Sequence, residues 1–328
     1  MAKNKKNSIL SYLTPLRGKD MGPKGLYAAE WAMVIYALFT IVLILFTSTN
    51  LHNPDALIWG RVHTALITVA LWVVYLIWPC RIMELARVVI LMITLSWWYP
   101  DTYELNRQFA NLDHIFANWE QALFGFQPAL TMAETFSSKV VSEFMCMGYS
   151  MYYPMFGFLI FYTFFKIHHE FQRVAFTLAA GFFMYYVIFV LFPVTGPQYY
   201  YAAVGVNDIA AGVFPDVGYY FRDCQECLPI PGWKDGLFHH LVQTAHESGE
   251  RPTAAFPSSH VSISTITMLL IISLRKWRLL IIFAIPYLCL CFSTVYIQAH
   301  YAIDAIAGFI TAIPAYFLLQ WIYKKVWK

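Results

Sequence analysis

Long apolar segments, separated by few charges, constrain the fold of this chain more than any other feature of its sequence. Hydrophobic residues make up 59% of the 328 positions and charged residues only 12%, which is about half of the share usual in globular domains. The core of a soluble protein of this length does not need so much apolar surface. The composition therefore predicts an all-α, polytopic membrane helical bundle.

Eight segments of about 15 to 24 residues are candidate transmembrane helices, against the roughly 20 residues that a helix needs to cross the hydrocarbon. They lie near 29–48, 57–78, 83–99, 144–165, 173–192, 258–274, 279–298 and 300–323. Residues 100–142 mix charged side chains with Phe, Leu and Trp, which predicts amphipathic helices at the outer interface, broken near Pro128. Residues 194–256, rich in Gly, Pro and Tyr, predict a long extracytoplasmic loop that caps a site.

The basic residues are distributed unevenly, which predicts how the chain lies in the membrane. With the N-terminus in the cytoplasm, all but six of the 22 Lys and Arg fall in or beside cytoplasmic segments, where membrane proteins concentrate positive charge. The six exceptions are Arg61, Arg107, Lys139, Arg222, Lys234 and Arg251. We therefore expect both termini to be cytoplasmic. The net charge of +3 is small and gives no signal for nucleic acid.

Two histidines lie at the edges of apolar segments. His260 follows Ser258 and Ser259, and His300 comes 40 residues later with Asp304 four positions beyond it. Residues four apart share one face of a helix, so we expect the Asp304 carboxylate to accept a hydrogen bond from one ring nitrogen of His300. The other nitrogen is then free to act as nucleophile or base, and His260 could be the complementary acid.

Each histidine alone is typical of an interfacial or packing residue, and only their combination with Asp304 and the serines favours a site. The triplet Tyr199–Tyr201 is more typical of an aromatic belt than of a headgroup platform. Cys224 and Cys227 form a C-x-x-C pair in the outer loop. A local disulfide is favoured there if the compartment is oxidising, over zinc, because no second Cys/His pair has matching spacing.

The histidine motifs resemble those of a known family. Phe256-Pro-Ser-Ser-His260, followed by Ser293-x-x-Tyr-x-x-x-His300-x-x-x-Asp304, is similar to the last two signature motifs of the type-2 phosphatidic acid phosphatase superfamily. The order of the two motifs and the interval between them both fit this resemblance.

Two departures from the phosphatase pattern resemble one branch of that superfamily, the inositol phosphorylceramide synthases. No Lys stands seven residues before Arg251, and Thr294 replaces the Arg that clamps phosphate in typical members. The stretch from Leu191 to Tyr200, which contains Phe-Pro-Val-Thr-Gly-Pro, also looks like a segment of this branch.

The resemblance implies a chemistry. His300 would attack the phosphorus of a lipid phosphodiester, Asp304 would orient the ring, and His260 would protonate the departing oxygen and later take a proton from the acceptor hydroxyl. The candidate phosphate-binding residues are Ser258, Ser259 and Arg251, the last with a solvated loop charge as its alternative. Members of the family need no metal, and neither a metal nor another cofactor is expected here.

The resemblance also implies a domain plan and a function. Residues 1–28 would be a cytoplasmic basic tail, 29–143 N-terminal membrane helices plus the interfacial segment, and 144–328 a phosphatidic acid phosphatase-like catalytic membrane core with its site on the extracytoplasmic face. The expected function is transfer of phosphoinositol from phosphatidylinositol to ceramide. The alternatives are a lipid phosphate phosphatase and a non-enzymatic transporter or scaffold. The expected partners are membrane lipids and not nucleic acid.

Overall fold

The computed structural model describes residues 9–16 and 22–327, and every regular element in these ranges is helical. Much of the expected basic tail, including Lys3, Lys5 and Lys6, lies outside the described residues. The helices are α1 (Ile9–Leu13), α2 (Ala28–Thr47), α3 (Pro54–Ile77), α4 (Arg81–Asn106), α5 (Asp113–Phe124), α6 (Pro128–Thr135), α7 (Lys139–Ser150), α8 (Tyr152–Lys166), α9 (His168–Leu191), α10 (Pro197–Val204), α11 (Val206–Ala210), α12 (Leu237–Gly249), α13 (Ser259–Ser273), α14 (Trp277–Tyr296) and α15 (Ala302–Trp327).

Several of these helices are long and apolar enough to cross a membrane, which confirms an all-α, multi-pass integral membrane protein. Within the described ranges, six meet the length and hydropathy requirements: α2, α3, α4, α9, α14 and α15. Helices α7 and α8 meet them only together, with a bend of 44° between them. The expected span 258–274 is the 15-residue α13, about 22 Å long against roughly 30 Å of hydrocarbon. The count of eight spans stays a prediction, as does the division into domains.

Helix α9 is the centre of the bundle. It contacts α2, α4, α8, α13 and α15. In its most apolar 18-residue stretch, 72% is buried inside the protein. Gly181 lets α13 approach closely, because a Cβ at this position would lie 3.2 Å from the Cδ1 atom of Ile263. The apolar side chains between these helices form the largest hydrophobic core.

Helix α4 is longer than the sequence indicates. The expected end at residue 99 is wrong, since the helix continues through Pro100 to Asn106. Tyr103 and Leu105 are buried in this extension, and the Asn106 amide donates to the Phe189 carbonyl at 3.1 Å. These tertiary contacts outweigh the loss of one helical hydrogen bond at the proline.

The segments between the membrane helices fold over one end of the bundle. The expected break near Pro128 is confirmed, because α5 ends before Gly125 at φ +79° and α6 begins at Pro128. The expected aromatic belt is wrong, since Tyr199–Tyr201 are buried inside the protein. The Tyr201 hydroxyl donates to the Gln127 side chain at 2.9 Å. A tyrosine buried with a satisfied hydroxyl belongs to a core.

The loop between α11 and α12 carries the C-x-x-C pair. Cys224 and Cys227 are both free and partly exposed, so the disulfide expected between them is not formed. The Cys224 thiol donates instead to the Tyr220 hydroxyl at 3.2 Å.

The close packing of α7 on α14 generates a stability prediction. A Cβ built on Gly148 would lie 2.6 Å from the Cys289 Sγ and 2.8 Å from the Cys289 carbonyl carbon. We expect Gly148→Ala to destabilise the protein by about 1–3 kcal/mol, because the two backbones must separate. Thermal unfolding in detergent measures this loss.

Gly157 on α8 supplies the matched control. No atom lies within 4 Å of a Cβ built there, so Gly157→Ala should leave stability unchanged or slightly raised. Equal melting temperatures for the two variants would contradict the packing argument.

Candidate active site

The two histidines of the sequence motifs meet where α13 begins and α14 connects to α15. His260 is the second residue of α13 and His300 lies in the turn before α15. The His300 Nε2 atom is 3.4 Å from His260 Nδ1, and the ring centroids are 5.6 Å apart. The structure therefore brings together two imidazoles that are 40 residues apart in the chain.

Backbone contacts between α13 and α15 fix this arrangement. The Ser258 N–H donates to the Asp304 carbonyl at 3.1 Å, and the Ser262 hydroxyl donates to the Gly308 carbonyl at 3.1 Å. Only a glycine at 308 allows such proximity, since a Cβ there would lie 2.6 Å from the Ser258 carbonyl oxygen. The close approach of the helices sets the distance between His260 and His300.

The His300 ring is buried and held in one tautomer. Its Nδ1–H donates to the Ala255 carbonyl at 2.8 Å, because a carbonyl can only accept. The Nε2 atom of the neutral ring consequently carries a free lone pair and faces His260. Burial lowers the pKa of His300 to about 4, although the Ala255 carbonyl and the Glu250 carboxylate act to raise it. The ring is thus neutral near pH 7, as a nucleophile requires.

The Asp304 carboxylate does not make the hydrogen bond that the helical spacing predicts. Its Oδ2 lies 3.8 Å from His300 Nδ1 and accepts the Tyr301 N–H at 2.9 Å. The reason is that α15 begins only at Ala302, so His300 precedes the helix and its Nδ1 meets Ala255 instead. The Asp304 carboxylate is close enough to His300 for an ion pair if the ring is protonated. It also caps the start of α15.

His260 is packed between two tyrosines from the bend between α7 and α8. The Tyr149 ring stacks on the imidazole with centroids 4.6 Å apart, and the Tyr152 ring lies 4.3 Å away. Its position at the start of α13 puts the ring beside backbone N–H groups that have no acceptor within the helix. Such a helix N-terminus favours a bound anion.

The candidate phosphate-binding residues lie in different settings. The Ser258 hydroxyl accepts the Val261 N–H at 3.4 Å and so caps α13, while Ser259 lines a cavity beside His260. The Arg251 guanidinium donates to the Glu250 carbonyl at 3.0 Å. Their roles toward a phosphate, like the catalytic roles of the histidines and Asp304, stay predictions.

A cavity of about 700 Å³ opens at His260. Its polar end is formed by Ser259, His260 and Glu250, and its walls are apolar and come from α4, α8 and α9. Ile93 and Trp97 on its rim are more than half exposed. A cavity of this shape suits an amphiphile with its polar group at His260.

Asp113 is a site residue that sequence reasoning missed. This fully buried carboxyl accepts hydrogen bonds from Asn111 Nδ2 at 2.6 Å, the Thr195 N–H at 2.7 Å, the Thr195 hydroxyl at 2.9 Å, the Gly196 N–H at 2.8 Å and the Tyr301 hydroxyl at 3.1 Å. Burial raises the pKa of the Asp113 carboxyl, and the hydrogen bonds from Thr195, Asn111 and Gly196 lower it. Asp113 thereby fastens the turn that carries His300.

Glu120 is a second buried acid near the start of α15. Its Oε2 accepts the Ile303 N–H at 3.2 Å. Burial raises the pKa of Glu120 to about 8, so the carboxyl is mostly protonated at neutral pH.

Among the described residues, no group of three His, Cys, Asp or Glu is placed to hold a metal ion.

The facing nitrogens are too close to hold a phosphoryl group between them. An attacking atom stands about 3–3.5 Å from its target, and a general acid stands a further 2.6–3.2 Å or so from the oxygen that it protonates. The observed 3.4 Å between His300 Nε2 and His260 Nδ1 leaves no space for both. Substrate must therefore push the rings apart or engage the other nitrogen of His260.

The low pKa of His300 generates a prediction for the pH dependence of activity. The neutral ring is the reactive form and a pKa of about 4 keeps it neutral well below the ordinary value near 6.5. We expect kcat/KM to stay constant as the pH is lowered to about 5. An acid limb centred near pH 6.5, with thermal unfolding showing an intact fold at that pH, would contradict this assignment.

Comparison with protein families supports the resemblance seen in the motifs. Residues 114–318, more than half of the chain, match the PAP2 superfamily, and this range contains His260, His300 and Asp304. Comparisons with curated proteins and with solved structures gave no match. The chain belongs to the PAP2 superfamily and is a membrane-embedded lipid enzyme of the phosphatase or phosphotransferase type.

Proposed function

We propose that this protein transfers a phosphorylated headgroup from a glycerophospholipid to a lipid alcohol, with phosphatidylinositol as donor and ceramide as acceptor. The observation that carries the proposal is that the imidazoles of His260 and His300 face each other, with His260 at the polar end of an apolar cavity. The walls of the cavity are apolar, and Ile93 and Trp97 of α4 on its rim are exposed, as the entrance for a lipid chain requires.

The chemistry proceeds in two balanced steps. The His300 Nε2 lone pair forms a bond to phosphorus while the bond to the diacylglycerol oxygen breaks. His260, which takes up a proton when the phosphate anion binds beside it, gives that proton to the oxygen. The acceptor hydroxyl then loses its proton to His260, and its oxygen attacks phosphorus as the bond to His300 breaks. The two ring nitrogens return to their first state.

The replacement of the family arginine supports a diester over a monoester substrate. Thr294 is fully buried, and its hydroxyl donates to the Cys291 carbonyl at 3.0 Å inside α14. This side chain is occupied within its own helix. A dianionic phosphomonoester would lack the bidentate cation that typically neutralises it.

The transfer reaction generates the main prediction. We expect purified protein with labelled phosphatidylinositol and ceramide to form a new inositol-containing sphingolipid, and His300→Ala to lower the rate at least about 10³-fold, because the nucleophile is lost. Thin-layer chromatography or mass spectrometry of the lipids measures the product. His240→Ala is the control, since His240 lies exposed on α12.

Other outcomes of this assay separate the competing functions. Release of inositol phosphate or inorganic phosphate without a new lipid would favour a lipid phosphatase, in which water replaces the alcohol. Full activity in His300→Ala would exclude a phosphohistidine intermediate on His300. No turnover of either substrate class would favour a non-enzymatic transporter or scaffold.

We further propose that the site faces the extracytoplasmic side. The basic turn after α13, with Arg275 and Lys276, lies at the other end of that helix from His260. The concentration of positive charge on the cytoplasmic side then puts both histidines outside and both termini in the cytoplasm.

The free thiols of the loop before α12 test this orientation. Cys224 and Cys227 are partly exposed in this loop and Cys291 is partly exposed inside the membrane helix α14, whereas Cys80, Cys146 and Cys289 are buried. We expect a membrane-impermeant maleimide added to intact, mildly reduced cells to label the protein, and the double variant Cys224→Ser/Cys227→Ser to lose the label. Labelling that appears only after the cells are opened would reverse the orientation.

A further inference from the structure

Glu250 is a carboxylate at the polar end of the cavity that the proposed reaction does not use. It lies between α12 and the segment leading to His260, and its side chain is 19% exposed. Tyr149 Oη donates to Glu250 Oε1 at 3.0 Å, and Gln198 Nε2 donates to Oε2 at 3.1 Å. His246 Nε2 lies 3.2 Å from Oε2. Groups from α7, α10 and α12 thus hold the carboxylate in place.

Tyr149 connects this carboxylate to the reacting groups. Its ring stacks on His260 with centroids 4.6 Å apart, and the hydroxyl of the same side chain binds Glu250. Glu250 and His260 both line the cavity, and the Glu250 charge acts on the His300 ring. A phosphate placed at the histidines therefore lies in the field of Glu250.

No permanent cation neutralises this carboxylate. Among the described residues, the ion-pair partner of Glu250 is His246, which is charged only when protonated. The guanidinium of the neighbouring Arg251 donates to the Glu250 backbone carbonyl, and no ion pair joins the two side chains. An ionised carboxylate has about four lone-pair sites, and the donors present leave at least one of them for a substrate.

We propose that Glu250 selects the charge and the headgroup of the substrate: it disfavours a phosphomonoester dianion and accepts a hydrogen bond from a hydroxyl on an uncharged group beside a phosphodiester. This inference rests on the proposed function and names a specificity-determining residue for it. The second charge of a monoester meets an uncompensated negative charge in a site of low dielectric, and repulsion of an alternative substrate is an established source of specificity. The hydroxyl belongs either to the donor headgroup or to the acceptor alcohol.

Binding of short-chain lipids to the full-length protein tests the inference. At pH 8, where a monoester is dianionic, we expect the wild type to bind phosphatidylinositol at least about tenfold more tightly than phosphatidic acid. Glu250→Gln removes the charge and keeps the shape, and it should lower that ratio about tenfold, in line with one fewer close like-charge contact. Ligand-induced shifts of the melting temperature in detergent give the affinities.

Two further variants separate charge from structure. Glu247→Gln removes a charge from the exposed face of α12, where Glu247 accepts from Gln243 at 2.7 Å, and should leave the ratio unchanged. Glu250→Asp retains the charge and should retain the preference for the diester. An unchanged ratio in Glu250→Gln, or an equal fall in Glu247→Gln, would overturn the inference.

Phosphatidylmethanol, a diester without headgroup hydroxyls, distinguishes the two sources of the hydroxyl. Weaker binding of phosphatidylinositol but not of phosphatidylmethanol in Glu250→Gln assigns the hydrogen bond to the headgroup. Weaker binding of ceramide alone assigns it to the acceptor, and no loss for any of the three lipids would overturn the hydrogen-bonding part. Because binding is measured, these outcomes stand whether or not the wild type forms a new lipid.

Discussion

The buried carboxyl of Asp113 is the interaction on which the geometry of the histidine pair depends. Its hydrogen bonds fix Thr195 and Gly196. The adjoining Val194 carbonyl accepts the N–H of Ala255 at 3.0 Å, and the Ala255 carbonyl in turn accepts the Nδ1–H of His300. A buried carboxyl costs free energy unless donors surround it, so the donors and the carboxyl specify each other's positions. The tautomer of His300 is thereby set from Asp113, the first residue of α5.

The second constraint is that the first turns of α13 and α15 meet. Both helices begin near the same point, and each leaves N–H groups that need acceptors. Ser258 caps α13, and Asp304 and Glu120 accept N–H groups at the start of α15. The remaining N–H groups of α13 lie beside His260. Glu250 differs from Asp304 and Glu120, which accept backbone N–H groups, because its donors are side chains and it lines the cavity.

The sequence allowed the candidate site residues to be predicted but not the residues that hold them in place. The order and spacing of the motifs identify His260, His300 and Asp304, because local spacing on a helix or turn carries that information. The actual partner of His300 Nδ1 depends on where α15 begins and on Ala255, 45 positions earlier. Asp113 binds partners more than 80 positions away, and no periodic pattern reports such contacts.

The tertiary environment also explains the errors in the fold. Tyr199–Tyr201 look like interfacial residues by composition, yet hydrogen bonds of two of their hydroxyls inside the protein make burial favourable. The family resemblance could be predicted because its motifs are short stretches of residues that are visible directly in the sequence. The bounds of α13 were also predictable, since they agree with the expected 258–274 to within one residue at each end, and Arg275 and Lys276 end the apolar pattern where the chain turns at φ +54°.

The shortness of α13 determines the depth at which the reaction takes place. With Arg275 and Lys276 at the aqueous boundary, a helix of 15 residues ends on the order of 8 Å before the opposite edge of the hydrocarbon. In the proposed orientation the imidazoles then lie about 8 Å inside the outer edge of the hydrocarbon, below the level of the glycerol backbone. A phospholipid reaches them by sideways diffusion without leaving its leaflet, whereas water has to descend toward them. That difference in access favours an alcohol dissolved in the bilayer as the acceptor.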